Sequence, residues 1–395
     1  MNRIPFENSK FEKVRIRFLI SEKVKSKIQV SEAKSQNEAQ YPFFTSGENI
    51  LSFDKFLCDD ETIFLNTGGN ASVKFYNGKA SYSTDTYAIE SKNQNYCLTK
   101  FLFYCLNDTK FINDTFFEGS ALKHLQKDKF KNFRIPLPPL AEQERIAEFL
   151  DKKCASIDSS IENLEQKTKS LAQYKKALIT QCVTKGLNPK ILEFKDSEIP
   201  WIRQIPKHWE IIRLGYICNK LNRKIDENDE PLICSNKGQV AFRDKNACGK
   251  MLSENHTMQG IQVGDIAIHG MDTWHGAIAY SNLKGKITGV VHVCDSKENN
   301  KFIVYFLQYL AIQGVYKLIS NGVRGNTSDF RSWNSVKNIY IIVPPLNEQK
   351  EIAEFLDNKC EKIDNLSANY KEQIKTLKEY KKALIYECVT GKKQI

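Results

Sequence analysis

Several things are missing from this chain, and each absence narrows what it does. No run of about 18 apolar residues occurs, so no membrane-crossing helix is expected. The first residues are polar and charged and do not read as a signal peptide. The eleven cysteines include no Cys-x-x-Cys pair, and their number is odd. They read as free thiols of a reducing cytosol, not as a disulfide framework, and a cytoplasmic location is expected. There is no Gly-x-x-x-x-Gly-Lys-Ser/Thr phosphate loop, and no Gly-x-Gly-x-x-Gly after a strand. Also missing is the Asn/Asp-Pro-Pro-Tyr/Phe stretch with which amino-methyltransferases grip a flipped base. Acidic charge is in short supply: 47 Asp and Glu against 58 Lys and Arg, a formal net charge of +11. That balance favours an anionic partner, of which nucleic acid is the commonest.

What the chain does have is a repeated phrase. Ile135-Pro-Leu-Pro-Pro-Leu-Ala-Glu-Gln opens a stretch that returns 206 positions later as Ile341-Ile-Val-Pro-Pro-Leu-Asn-Glu-Gln. Between 135–184 and 341–390 there are 28 identities in 50 positions, without a gap. Each copy reads as a long helix. Its proline pair forbids helix before it, and Glu142 and Glu148 place negative charge near the helix N-terminus. Apolar or small residues recur at steps of three and four. They fall at Ile146, Leu150, Cys154, Ile157, Ile161, Leu164, Thr168, Leu171, Tyr174, Leu178 and Cys182, and in the second copy at Ile352, Leu356, Cys360, Ile363, Tyr370, Ile374, Leu377, Leu384 and Cys388. This is a coiled-coil seam of roughly 40 residues, about 60 Å at 1.5 Å per residue. One such stripe alone would face water, so the two helices are expected to pair, with Leu150, Ile157, Leu164, Leu171, Leu178, Leu356, Ile363, Tyr370, Leu377 and Leu384 between them; the alternative is that each packs locally on its own globular half.

The repeat reaches further. Phe11-Glu12-Lys13-Val14-Arg15 is echoed by Trp209-Glu210-Ile211-Ile212-Arg213, so each half is a globular unit followed by its helix. The expected division is 1–135, a first globular domain; 136–184, the first helix; 185–208, a proline- and tryptophan-stiffened connector; 209–341, a second globular domain; and 342–391, the second helix. The fold class is mixed α/β (α+β). In the first domain 62–65 and 87–89 read as strands, 66–70 as a loop and 97–106 as a helix. In the second, 263–268 reads as a turn then a strand, 302–318 as one helix and 321–327 as a basic loop. The helices match between halves while the globular sequences diverge, as two unlike readers on one repeated frame would; neutral drift of loops is the alternative.

Catalytic constellations are weak. Asp85 with Glu90-Ser91-Lys92 imitates a nuclease metal site, but the spacing is short and the second half has no counterpart; surface charges at a strand end are the better reading. His269, His275, His292 and Cys294 fit no standard zinc spacing, so no metal site is expected. Nucleic-acid contact is better supported, since phosphates take Arg and Lys while base edges take Arg, Lys, Asn and Gln. The loop residues of that kind, with one imidazole that also suits base or phosphate contacts, are Asn66, Asn70, Lys74 and Lys123 in the first half, and Lys237, Arg243, His275, Arg324, Asn326 and Arg331 in the second.

The doubled Pro-Pro-Leu-x-Glu-Gln junction, together with the connector Ile199-Pro200-Trp201 and Ile205-Pro206-Lys207-His208-Trp209-Glu210, resembles the specificity subunits of type I restriction-modification systems. The resemblance covers nearly the whole chain. It implies two target-recognition domains, each reading half of a split DNA site, and two antiparallel helices whose length sets the unread gap. It implies no catalytic site in this chain. Its partners would be double-stranded DNA, two modification (methyltransferase) subunits and two restriction (translocase/endonuclease) subunits. S-adenosylmethionine, ATP and Mg would be held in those partners. The alternative is a coiled-coil scaffold with no sequence preference on DNA. One departure stands out: the first half has only residues 1–10 where the second has a full Pro-Trp…His-Trp lead-in, so the first domain's edge needs completing from elsewhere, with the C-terminal end as the candidate.

Overall fold

The computed structural model describes residues 6–47, 49–226, 228–243, 257–320 and 330–395. They divide into two compact units, Met1–Glu165 with Lys371–Ile395, and Gln166–Tyr370. The cut falls inside both long helices, which run Leu140–Lys185 and Leu346–Val389. Each unit therefore owns one globular domain, the first half of the helix that follows it and the second half of the other helix.

In the first unit, strand Lys13–Arg15 pairs antiparallel with Arg134–Pro136, Val14 opposite Ile135. The strand that enters the domain is thus bonded to the strand that leaves it for the helix. Between them lies a six-stranded sheet in the order Ile20–Glu22, Thr86–Ser91, Cys58–Asn66, Val73–Tyr82, Tyr41–Phe44, Leu51–Phe53. Its centre is covered on both faces, and the alternation of side chains shows how. Ile63 and Leu65 join the cluster around helix Thr99–Cys105, while Phe64 turns the other way and stacks on Phe44 at 4.2 Å. The strands expected at 62–65 and 87–89 and the helix expected at 97–106 are all present, the first longer than its sequence signal.

In the second unit, Glu210–Arg213 pairs with Tyr340–Val343, Ile212 opposite Ile341, which repeats the first unit's entry. The interior is different. A four-stranded sheet (Cys218–Lys220, Val291–Ser296, Ile266–His269, Ile278–Tyr280) is accompanied by two separate strand pairs, Leu232–Ser235 with Gln239–Phe242 and Met258–Ile261 with Gly285–Thr288. The single helix expected over 302–318 is two helices, Asn300–Ile312 and Val315–Ile319. Gly314 between them sits at φ +70, a conformation that glycine takes cheaply and that stops an α-helix. The connector is more ordered than prolines alone imply: Phe194–Ile199 and Ile202–Pro206 form a hairpin that leads to fully buried Trp209.

Within each unit the helix segments pair antiparallel. In the first, Asp158 bonds Lys381 at 2.7 Å and Glu165 meets Lys378 at 3.5 Å, so position rises on one helix as it falls on the other. The apolar contact joins Ile146, Leu150, Cys154, Ile157 and Ile161 to Leu384, Ile385, Cys388 and Val389. In the second, Ile179, Cys182 and Val183 meet Ile352, Ala353, Leu356 and Cys360, and Lys175 grips both carboxylate oxygens of Asp364. Asp158 and Asp364, like Lys175 and Lys381, are 206 apart: one ion pair made twice. Leu150, Ile157, Leu356, Ile363 and Leu384 are buried, while Leu164, Leu171, Leu178, Tyr370 and Leu377 are half-buried.

Tyr174 is a correction. It was expected on the seam and is 54% exposed. From Leu171 a step of three turns short of the stripe, whereas a step of four reaches Lys175. Its stem lies half-buried on the seam with its ammonium on Asp364.

The first domain's edge is completed by the C-terminal segment. Lys10 N–H donates to Thr390 O at 3.0 Å, the Phe6 ring stacks on Tyr386, and Gly391 leaves no room for a side chain beside Phe11. The second unit uses its longer lead-in instead. His208 Nε2 and Trp209 Nε1 both reach Glu348 in the second helix's first turn, at 2.6 and 2.9 Å. Glu142, the matching residue of the first helix, pairs with Arg145.

Candidate nucleic-acid interface

In the first unit two loops are zipped together. Gly69 N–H donates to Lys123 O at 2.9 Å and Leu125 N–H to Thr67 O at 3.0 Å, with a bridge between Gly68 and His124. Asn70, Lys123 and His124 are thereby exposed on one joined surface. Two expected contact residues have other work. Asn66 is 2% exposed; its amide donates to Gly68 O and Asn70 O and accepts from Ser72 N–H, so it shapes the loop from beneath. Lys74 donates to Thr45 O and Gly47 O, which ties the neighbouring strand's exit to the same hairpin. Of the Asp85–Glu90–Lys92 imitation, Glu90 is held by Lys23, which also pairs with Asp60 at 2.8 Å.

In the second unit, Lys237 at the turn of one hairpin and His275 in the loop after Ile266–His269 line one cleft of about 370 Å³. Trp274 and Lys176 line it too; nothing in their sequence context singled them out. Lys237 and His275 are exposed. Arg243 is half-buried at the far end of Gln239–Phe242, its N–H donating to Pro231 O. Arg331 is exposed, and its backbone packs so closely on Gly270 that even a Cβ there would come within 3.0 Å of the Arg331 Cα. Arg324 and Asn326 lie outside the described residues.

The neighbouring Phe330 is held by His292, which is 1% exposed. Its Nε2 lies 2.7 Å from Phe330 O and so carries the proton; its Nδ1 has no hydrogen-bond partner among the described residues. Burial pushes the pKa of His292 below the usual imidazole range of about 6.5, with Lys220 and His269 adding to the push and the bond to Phe330 opposing it. Burial lowers His269 as well, against the pull of Asp272. Among the described residues no three His, Cys, Asp or Glu side chains gather as metal ligands would.

A group depressed in the folded state leaves the unfolded chain to take up protons first. The contribution of His292 to the second unit's stability is thus complete above about 6.5 and is lost as pH falls through the lower folded value. Melting followed from pH 7.5 to 5 should show the second unit's transition dropping below pH 6.5. His292→Gln, which keeps a donor for Phe330 O, should flatten that acid limb; an unchanged limb would assign the acid sensitivity elsewhere.

No helix among the described residues is long and apolar enough to cross a membrane. Comparison with known proteins points one way. The type I restriction modification DNA specificity domain matches residues 8–172 and again 206–376. The chain is 25% identical over 359 residues to the type I restriction enzyme MjaVIII specificity subunit of Methanocaldococcus jannaschii, covering 85% of this chain and 79% of that one. It is 28% identical over 213 residues to the EcoDI specificity subunit of Escherichia coli, where the match spans 49% of this chain and 46% of that one. Two solved structures share the fold. A type I restriction-modification S subunit from M. genitalium has a TM-score of 0.51 at 17% identity, covering 97% of this chain and 98% of that one. A chain from a study of the assembly and conformational transition of the type I R-M system reaches 0.64 at 16% identity, covering 96% and 97%. Two copies of one family domain, each opening on the same strand pair and followed by the same helix, account for both halves of the molecule: the chain belongs to the type I restriction modification DNA specificity family.

Proposed function

We propose that this chain is the DNA-reading, non-catalytic subunit of a type I restriction-modification complex, each globular domain reading one half of a split site. The observation that carries the proposal is the contrast inside one chain: entry strands, helices and cross-helix ion pair are made twice, while the sheets they hold are unlike. Two different readers give an asymmetric site. The joined loops bearing Asn70 and Lys123, and the cleft bearing Lys237 and His275, supply polar groups of the types that bind phosphates and base edges. The surplus of 11 positive charges favours a polyanion, with binding that weakens steeply as salt rises. The helices set the gap between half-sites and dock the modification subunits; methylation and restriction, with S-adenosylmethionine, ATP and Mg, belong to partner chains.

The test is to co-express the chain with its modification subunit and map adenine methylation across the host genome. A split motif with one fixed gap, gone when this chain is deleted, is the expected result. Methylation with no motif dependent on this chain would favour the scaffold reading.

A further inference from the structure

The two unlike domains are fastened to their helices by the same contacts. In the first unit, Gln143 is fully buried. Its Oε1 accepts from Leu98 N–H at 2.8 Å, and its Nε2 donates to Tyr96 O at 3.0 Å and to Pro138 O at 2.9 Å. In the second, Gln349 is fully buried. Its Oε1 accepts from Asn299 N–H at 3.0 Å, and its Nε2 donates to Glu298 Oε2 at 2.7 Å and to Pro344 O at 2.8 Å. Each glutamine thus ties the start of a domain helix to the Pro-Pro turn. Eight residues on, roughly 12 Å along the helix, stands an aspartate. Asp151 accepts from Tyr104 O–H at 2.5 Å and pairs with Lys100 at 3.1 Å; Asp357 accepts from Tyr305 O–H at 2.7 Å and pairs with Lys301 at 2.6 Å. Lys and Tyr are four apart in both domain helices, so they share a face. Burial, then the bond to the carboxylate, raises both tyrosine pKa values far above their usual range, and the hydroxyls remain donors throughout the working pH range.

The register shows that these contacts are not drift. On the long helices the partners are 206 apart, Gln143 to Gln349 and Asp151 to Asp357; on the domain helices they are 201 apart, Lys100 to Lys301 and Tyr104 to Tyr305. The second unit therefore has five more residues between its domain helix and its seat, in a different fold, and still makes the same bonds. A contact kept across a change of length is one whose geometry matters.

We infer that Gln143 with Asp151, and Gln349 with Asp357, form two-point seats that fix the tilt of each reading domain on its helix, and that these positioning residues thereby hold the gap between half-sites to one value. One attachment would leave a pivot; two, about two helical turns apart, fix an angle. The inference rests on the reading proposed above.

The experiment uses the whole chain with its modification subunit. Tyr104→Phe with Asp151→Asn loosens the first seat, Tyr305→Phe with Asp357→Asn the second. Amide exchange at Thr99–Cys105 should rise about tenfold or more in the first variant, as expected for loss of a charge-assisted hydrogen bond, while the Ile146–Ile161 segment keeps its protection. Methylation maps should then show the same half-site bases over additional gaps, one base pair longer or shorter than wild type. Unchanged exchange together with a single unchanged gap overturns the inference. So does loss of methylation at every gap in a double variant whose Ile146–Ile161 segment keeps its protection, since the seat would then serve something other than the gap. Lys100→Gln, which removes only the ion pair, keeps the question open to measurement if the double variant does not fold; it must broaden the gap to a smaller extent. A wild-type map without a split motif would remove the DNA reading itself, and exchange alone would then decide whether the seat exists.

Discussion

Deleting the chain from Leu384 onward should unfold the first unit and spare the second. Leu384, Ile385, Cys388 and Val389 are all under a tenth exposed and lie in the same cluster as Ile63, Phe101 and Ile135. Each such side chain contributes about 1.5–3 kcal/mol by leaving water. Four of them amount to roughly the whole stability of a typical domain, about 5–15 kcal/mol. The deletion also removes the Thr390 carbonyl that receives Lys10 and Ser9, and the Tyr386 ring under Phe6. The second unit draws its core from Gln166–Tyr370 and loses nothing. Hydrogen exchange would report this directly, with protection lost in Cys58–Asn66 and kept in Ile266–His269. Equal protection of both strands after truncation would show that the first domain closes without its borrowed segment. Leu384→Ala is the milder version, with an expected cost of about 2–5 kcal/mol confined to the first unit.

That dependence was only half visible in the sequence. The short lead-in pointed to a missing edge because the second half supplied the comparison, and the repeated phrase made the helices readable to within a few residues. Their seam was legible wherever leucine or isoleucine recurred at three and four. It misled at Tyr174 because periodicity ranks residues by apolarity, and a lysine whose stem packs while its ammonium finds Asp364 is counted as polar. The seats escaped notice for a different reason. Lys100-Phe101-x-x-Tyr104-x-Leu106 does recur as Lys301-Phe302-x-x-Tyr305-x-Leu307, but five residues out of the register of the long repeat. The loop residues were least readable. Asn66 and Lys123 look alike as polar loop positions, yet one is spent on the backbone of its own turn and the other faces solvent. Which of the two occurs depends on where neighbouring carbonyls fall, and that is decided by tertiary structure.

The second large effect concerns the helices as a measure of distance. Insert four residues into each, after Glu165 in the first and after Tyr370 in the second, where the chain passes from one compact unit to the other. Four residues add about 6 Å and turn the helix about 40° beyond a full turn. On DNA one base pair advances about 3.4 Å and turns roughly 35°. The added rotation matches one base pair and the added length nearly two, so the methylated motif should keep both half-sites and widen its gap by one or two base pairs. Both helices must grow together. A single insertion would lengthen one of the two helices that run from unit to unit and leave the other unchanged. Removing four residues from each helix should shorten the gap by the same amount. The half-site bases should not change in either variant, because the loops carrying Asn70, Lys123, Lys237 and His275 lie wholly within their own units. A motif whose gap stayed the same in both variants would mean that the separation is held by something other than helix length.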